Sequence, residues 1–223
     1  MNRGIVLVAG AVAAVTLAAG CGGGSDKSAS SDTTATTGPS TKGCADVSSP
    51  DPRDESRKPP TKPLDSSKTW KATFVTSCGS FTVQLDLKNS PNTTASFVKL
   101  AETGFYDRTI FHRVVPGFVI QGGDPTQTGS GGPGYTVVDK PPSSATYPLG
   151  TVAMAKTETE PPGTSGSQFF VMSGNNGLPP DYALLGKVVR GMDVVRRIDS
   201  LGTETDPLPT QTVLVDRVEI SSS

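Results

Sequence analysis

The chain has 223 residues, 34% of them hydrophobic and 6% aromatic, enough for one ordinary domain with accessory segments. Its 20 basic and 21 acidic residues leave a net charge of -1, so no basic surplus exists to neutralise nucleic-acid phosphates. A single histidine, His112, and 3 cysteines exclude most zinc sites and any catalytic triad built on more than one histidine.

In chain order, the first element is an address. Arg3 supplies a positive start, and Ile5 to Ala19 is an uncharged run of Val, Ala and Leu. At about 15 residues it falls short of the ~20 that span a bilayer as a helix, so residues 1–20 read as a signal peptide. Its end, Leu17-Ala18-Ala19-Gly20-Cys21, resembles a bacterial lipobox, with Ala18 where that signal prefers Leu. The resemblance implies cleavage before Cys21, palmitate-type lipid on that cysteine, and a membrane anchor on the extracytoplasmic face. An ordinary secretory signal with Cys21 incidental is the alternative.

Residues 21–68 change character. Gly22-Gly23-Gly24-Ser25 opens a Ser/Thr/Gly stretch with few large apolar side chains, and Pro50, Pro52, Pro59, Pro60 and Pro63 stiffen its second half. Too little apolar surface is present to offset the entropy of ordering, which predicts a flexible, solvated tether. Cys44 lies in this tether and Cys78 in the first hairpin of the folded part. An oxidising compartment invites a disulfide between them, stapling the tether's end to the domain. Two free thiols, or Cys78 buried as a small hydrophobe, would also satisfy the sequence.

The folded domain is expected over 69–223. Thr69 to Thr76 and Ser80 to Leu87 predict an antiparallel hairpin turning at Ser77-Cys78-Gly79, because Phe81, Val83, Leu85 and Leu87 alternate with polar residues. Ser90-Pro91 predicts a helix start with Ser90 as the cap, and Thr94, Phe97, Val98 and Ala101 share one face before Gly104 ends it. Short apolar runs follow at Arg113 to Gln121, Gly150 to Ala155, Gln168 to Met172 and Ala183 to Val188. A short helix fits Met192 to Ser200. A closing strand fits Thr212 to Ile220, where Asp216 breaks the alternation and predicts a bulge. Many short strands with two helices favour a mainly β, closed antiparallel barrel.

The most informative run is Phe111-His112-Arg113-Val114-Val115-Pro116-Gly117-Phe118-Val119-Ile120-Gln121-Gly122-Gly123-Asp124. With Gly129 to Tyr135, Gly150 to Ala155, Gly166 to Val171 and Leu185 to Val188 in order and at matching spacing, the chain from about Thr69 to Ser221 resembles the cyclophilin-type peptidyl-prolyl cis/trans isomerases. The resemblance implies an eight-stranded barrel capped by helices, with a proline-binding groove on its outer face and no cofactor. Carried over by position, it makes Arg113 the catalytic arginine. Phe118, Val119 and Phe170 become the floor and wall for a proline ring, Gln121 the residue that orients the arginine, and Gln168 a groove residue. Ala155 and the backbone of Lys156 would hold the peptide beside the proline. Leu178 would remain a wall residue, and Tyr182 would stand where relatives often carry histidine.

Three departures limit the likeness. Lys156 replaces a frequent asparagine, Gly177 takes the place of a frequent tryptophan (the sole tryptophan, Trp70, lies far away in sequence), and Tyr182 takes that of a frequent histidine. Loss of that indole predicts weak binding of cyclosporin, the family's inhibitor. His112 is expected to make a structural hydrogen bond only, and the glycine-rich turns lack the Lys-Ser/Thr of a phosphate cradle. The expected activity is isomerisation of prolyl bonds in exported proteins by a monomer, acting on proline-containing polypeptides. A module that grips proline segments with little turnover is the alternative.

Overall fold

The computed structural model describes residues 43–223. The expected leader at 1–20, Cys21 with its lipid, and the first part of the tether lie outside the described residues. Among the described residues, no helix is long and apolar enough to cross a membrane.

Ten strands and two helices follow in chain order: β1 (Trp70–Thr76), β2 (Gly79–Leu85), α1 (Pro91–Glu102), β3 (Thr109–Val115), β4 (Val119–Gly122), β5 (Val137–Val138), β6 (Thr151–Met154), β7 (Thr164–Ser165), β8 (Phe169–Met172), β9 (Leu184–Arg190), α2 (Met192–Asp199) and β10 (Leu214–Ser222). Eight of the strands close an antiparallel barrel in the order β1-β10-β3-β4-β8-β6-β9-β2, and β5 pairs with β7 outside it. Closure leaves no barrel edge open to another chain.

The barrel is filled by aromatic side chains. Phe74 stacks on Phe81 with centroids 4.7 Å apart, and Phe169 meets Phe111 edge-on at 6.0 Å. Helix α1 packs against β10, β5 and β9, whereas α2 packs against β2, β4 and β3. Thr76 pairs with Val215 and Val75 with Arg217, so Asp216 is the extra residue of a bulge, as its broken alternation predicts.

The apolar run Arg113 to Gln121 is folded at Pro116-Gly117 into the β3–β4 hairpin, with Gly117 at φ +66. Proline fixes the first turn residue and glycine accepts the left-handed conformation of the second. Ser90, expected to cap α1, does not, since its hydroxyl is buried without a partner among the described residues. Asp139 of a distant loop does so instead: its Oδ2 accepts from the Thr93 amide at 2.6 Å and its Oδ1 from Asn92 at 2.9 Å. A carboxylate there also suits the positive end of the helix.

Residues 43–68, expected as a flexible tether, are instead bound to the folded domain. They form a strap along the barrel. Cys44 is joined to Cys78 by a disulfide, and Cys44 and Leu64 pack on the core. The Arg53 amide donates to Pro125 O at 2.8 Å and the Arg57 amide to Pro133 O at 2.8 Å. The Arg53 guanidinium donates to the carbonyls of Asp107 and Phe105 at 2.8 and 3.0 Å, and Glu55 bridges Arg53 and Arg57. The order comes from polar pairing, cross-linking and proline stiffness, none of which registers as apolar content.

Candidate active site

Strand alternation builds the site. In β4, β6 and β8 one set of side chains points into the core: Ile120, Val152, Met154, Phe169 and Val171. The other set points outward and is also apolar: Val119, Ala153, Phe170 and Met172, joined by Tyr147. Val115, Phe118, Ala155, Leu178, Tyr182 and Leu184 complete this second cluster while remaining partly accessible. The result is an apolar slot on the barrel's outer wall.

Arg113 and Gln121 stand at its edge on paired positions of β3 and β4, and Gln121 is in turn paired with Phe170 on β8. A bulge at His112 restores Arg113 to the outer face, since Phe111 pairs with Gly122 while Arg113 pairs with Gln121. Arg113 Nη1 donates to Gln121 Oε1 at 3.2 Å, Gln121 Nε2 to Gln168 Oε1 at 3.1 Å, and Gln168 Nε2 to Gly131 O at 3.0 Å. This relay leaves the arginine half-buried and, among the described residues, most of its donors unused. The fork is fixed from one side and open on the other.

The glycine-rich loop that ends the relay is itself anchored. Buried Asp124 accepts from the Thr126 amide and hydroxyl at 2.7 and 2.8 Å, and from the amides of Gly129 and Gly131 at 2.7 and 3.1 Å. A side chain on Gly131 would put its Cβ 2.1 Å from Asp124 Oδ1, so only glycine lets that carboxylate collect its donors. Burial works to raise the Asp124 pKa, but the hydrogen bonds from Thr126, Gly131 and Gly129 outweigh it and hold the carboxyl below its ordinary value.

His112 departs from expectation. It is buried, and neither ring nitrogen has a hydrogen-bond partner among the described residues. Burial lowers its pKa, against the opposing pull of the Asp124 charge. Both groups therefore bind fewer protons folded than unfolded, so stability should fall as pH falls. The His112 contribution is full above the unfolded value of about 6.5 and is lost on acidification through its lower folded pKa, while the Asp124 contribution is lost below about 4. Melting temperature against pH, measured for wild type and His112→Gln, should show a flatter variant profile between roughly pH 7 and 5. Parallel profiles would contradict the assignment.

The remaining candidates are placed as follows. Tyr182 lies edge-on to Phe170 at 5.3 Å, and its backbone is clamped by the Tyr147 hydroxyl, which donates to Tyr182 O at 2.7 Å and accepts from its amide at 3.0 Å. Lys156 does not offer a free cation. Its Nζ pairs with Asp181 at 2.8 Å and donates to the carbonyls of Thr157 and Glu160. A Cβ at Gly177 would meet nothing within 4 Å, so that wall position is open space, and Trp70 instead donates its indole N–H to Asp65 O at the start of β1. Tyr147 and Asp181 went unread in the sequence. Only their place beside Tyr182 and Lys156 in space marks them, and no spacing rule reaches that far.

Beside the slot lies a cavity of about 580 Å³, lined by the glycine-rich loop, Gln121, Ala155, Gln168 and, from the strap, Asp54.

Comparison with known proteins agrees with this geometry. The sequence profile described as "Cyclophilin type peptidyl-prolyl cis-trans isomerase/CLD" matches residues 71–220. A peptidyl-prolyl cis-trans isomerase of Arabidopsis thaliana is 36% identical over 155 residues, covering 67% of this chain and 93% of its own. Peptidyl-prolyl cis-trans isomerase A of Mycobacterium tuberculosis is 37% identical over 173 residues, covering 69% and 93%. Among solved structures, a cyclophilin-type isomerase of Cryptosporidium parvum superposes with a TM-score of 0.64 at 29% identity, covering 70% of this chain and 99% of that one. A second structure of that protein was determined in the presence of the dipeptide Ala-Pro, with a TM-score of 0.63.

Proposed function

The chain belongs to the cyclophilin-type peptidyl-prolyl cis-trans isomerases and is a prolyl isomerase; from that premise we propose that Arg113 is its catalytic residue, acting on a proline seated against Phe118, Val119, Phe170 and Tyr182. The observation that carries this is the open guanidinium, oriented by Gln121, at the rim of an apolar slot.

The chemistry needs no nucleophile. A prolyl bond resists rotation because its nitrogen lone pair is delocalised into the carbonyl, giving a barrier of roughly 18–20 kcal/mol. As the bond twists, that nitrogen becomes pyramidal and recovers a lone pair able to accept a hydrogen bond. A fixed, permanently charged fork beside it favours the twisted form over both planar forms, which is what lowers a barrier. Each 1.36 kcal/mol of such preference is worth about tenfold in rate. The apolar walls hold the ring while the carbonyl side swings, and by excluding water they strengthen the arginine's field. Ala155 and the Lys156 backbone line the path of the chain beyond the ring. Turnover of an Ala-Pro peptide in a chymotrypsin-coupled assay, by wild type and Arg113→Ala, tests the assignment; equal rates reject it.

The setting proposed for this activity is the outer face of the cell membrane, with exported polypeptides as clients. Lipobox-like residues 17–21 and a disulfide-bonded strap support it, because disulfides persist in oxidising compartments. Uncatalysed prolyl isomerisation takes about 10–100 s, so proteins folding outside the membrane gain from a catalyst held there. In the cell of origin, a palmitate probe should label wild type and not Cys21→Ala. An unlabelled wild type ends the anchor.

A further inference from the structure

The strap does more than lie against the barrel: it contributes a wall to the cavity beside the proline slot. Along residues 53–57 exposure alternates, with Arg53, Glu55 and Arg57 half-buried and Asp54 and Ser56 exposed. The half-buried set is pinned from both sides, by the amide bonds of Arg53 and Arg57 to Pro125 O and Pro133 O and by Glu55 between the two guanidinium groups. Asp54 is thereby held at the cavity, and among the described residues its carboxylate has neither an ion pair nor a hydrogen bond.

Among the residues that line the cavity the unpaired charge is negative, with the Arg113 fork one residue away behind Gln121. Its charged lining residues are Asp54, Lys156 and Glu160. Lys156 is already neutralised by Asp181 and turned onto two carbonyls. Glu160 turns its Oε2 onto the Thr157 amide and hydroxyl, accepting from them at 2.6 and 2.9 Å. Arg53 and Arg57 are bound to Glu55 and do not line the space. At about 580 Å³, the cavity falls within the roughly 300–1,000 Å³ of sites that take small ligands. Ala155 and Gln121 belong both to this cavity and to the proline slot or its arginine, so one polypeptide would run through both. An extended chain advances about 3.3 Å per residue, which limits the partner side chain to the few residues nearest the proline.

We infer that Asp54 is a specificity-determining residue that makes this enzyme prefer proline segments with a lysine or arginine two or three positions from the proline, the basic side chain entering the strap-walled cavity. The inference rests on the isomerase reading of the neighbouring slot. It assigns to the strap a part in choosing substrate that the barrel alone does not supply.

The test uses the full chain and labelled peptides of one length, built on an Ala-Pro core, with Lys, Ala or Glu walked through the three positions on either side of the proline. Fluorescence anisotropy at low salt should find one position where the Lys peptide binds about three- to fivefold tighter than the Ala peptide and the Glu peptide weaker, the range of an exposed ion pair. That ratio should fall to about one in Asp54→Asn, reverse towards the Glu peptide in Asp54→Lys, and shrink in ~1 M salt, where the Debye length is about 3 Å. No Lys preference at any position overturns the inference, as does a preference that both variants leave intact. Exchange rates on the all-Ala peptide judge the isomerase reading separately. Turnover without Lys discrimination removes only the inference, whereas Lys discrimination without turnover keeps the subsite and removes the isomerase reading.

Discussion

Arg113→Ala is expected to lower kcat/KM on an Ala-Pro peptide by about 10²–10³-fold, the usual loss when one preorganised transition-state donor is removed. Most of that loss should fall on kcat. With the proposed ring-holding wall of Phe118, Val119, Phe170 and Tyr182 untouched, peptide affinity should change little, the pattern of an interaction made mainly in the transition state. Folding should survive, because the Arg113 side chain faces outward and its one hydrogen-bond partner among the described residues is Gln121. Arg113→Lys keeps the charge but not the planar fork and should recover only a small part of the rate. Gln121→Ala, which frees the fork without removing it, should cost less than Arg113→Ala. A variant lacking the guanidinium that turns over at the wild-type rate would remove the mechanism.

The second large effect concerns stability. The Cys44–Cys78 bond closes a loop with a sequence separation of 34 residues. Removing such a cross-link enlarges the unfolded ensemble and should cost about 3–4 kcal/mol. For a domain of this size the melting temperature should drop by roughly 10 °C, read by calorimetry with and without reductant, or in a Cys44→Ser/Cys78→Ser double variant. The strap should also exchange its amides faster, since Ala45 N–H donates to Ser77 O directly beside the bond. A shift below about 2 °C would mean that the arginine and backbone contacts hold the strap unaided.

Much of this architecture is legible in the residues, for identifiable reasons. The β1–β2 hairpin carries a clean period because one face of it meets the core and the other does not, whereas α1, buried throughout Thr93 to Val98, is marked by its Ser90-Pro91 start and Gly104 end. Asp216 announces its bulge by breaking an alternation. The strands that matter most, β4, β6 and β8, show no alternation, because Phe169 and Phe170, or Val152 and Ala153, are apolar on both faces. One face fills the barrel and the other lines the groove, so the pattern that marks a functional wall is the one that periodicity cannot resolve. There the ordered glycine-bearing blocks carry the reading instead, and the residues they single out, Arg113, Phe118, Gln121, Gln168 and Phe170, lie around one groove. What stayed illegible was pairing at long range through polar groups. Asp139 capping α1, Asp181 neutralising Lys156 and Arg53 meeting the carbonyls of Asp107 and Phe105 each join segments that sit far apart along the chain. The strap was misread for the same reason: its order rests on two arginines, a cystine and five prolines, in a stretch whose composition otherwise belongs to disorder.

Exchange NMR of an Ala-Pro peptide, recorded with catalytic amounts of wild type and of Arg113→Ala, addresses the central claim most directly because it watches both isomers without a coupled protease. The account predicts cis–trans cross-peaks with the wild type on a sub-second timescale, against tens of seconds for the free peptide, and their loss in Arg113→Ala although the peptide still perturbs the resonances of Phe170 and Tyr182. A peptide that occupies the slot of the wild type and yet interconverts at its free rate would contradict it.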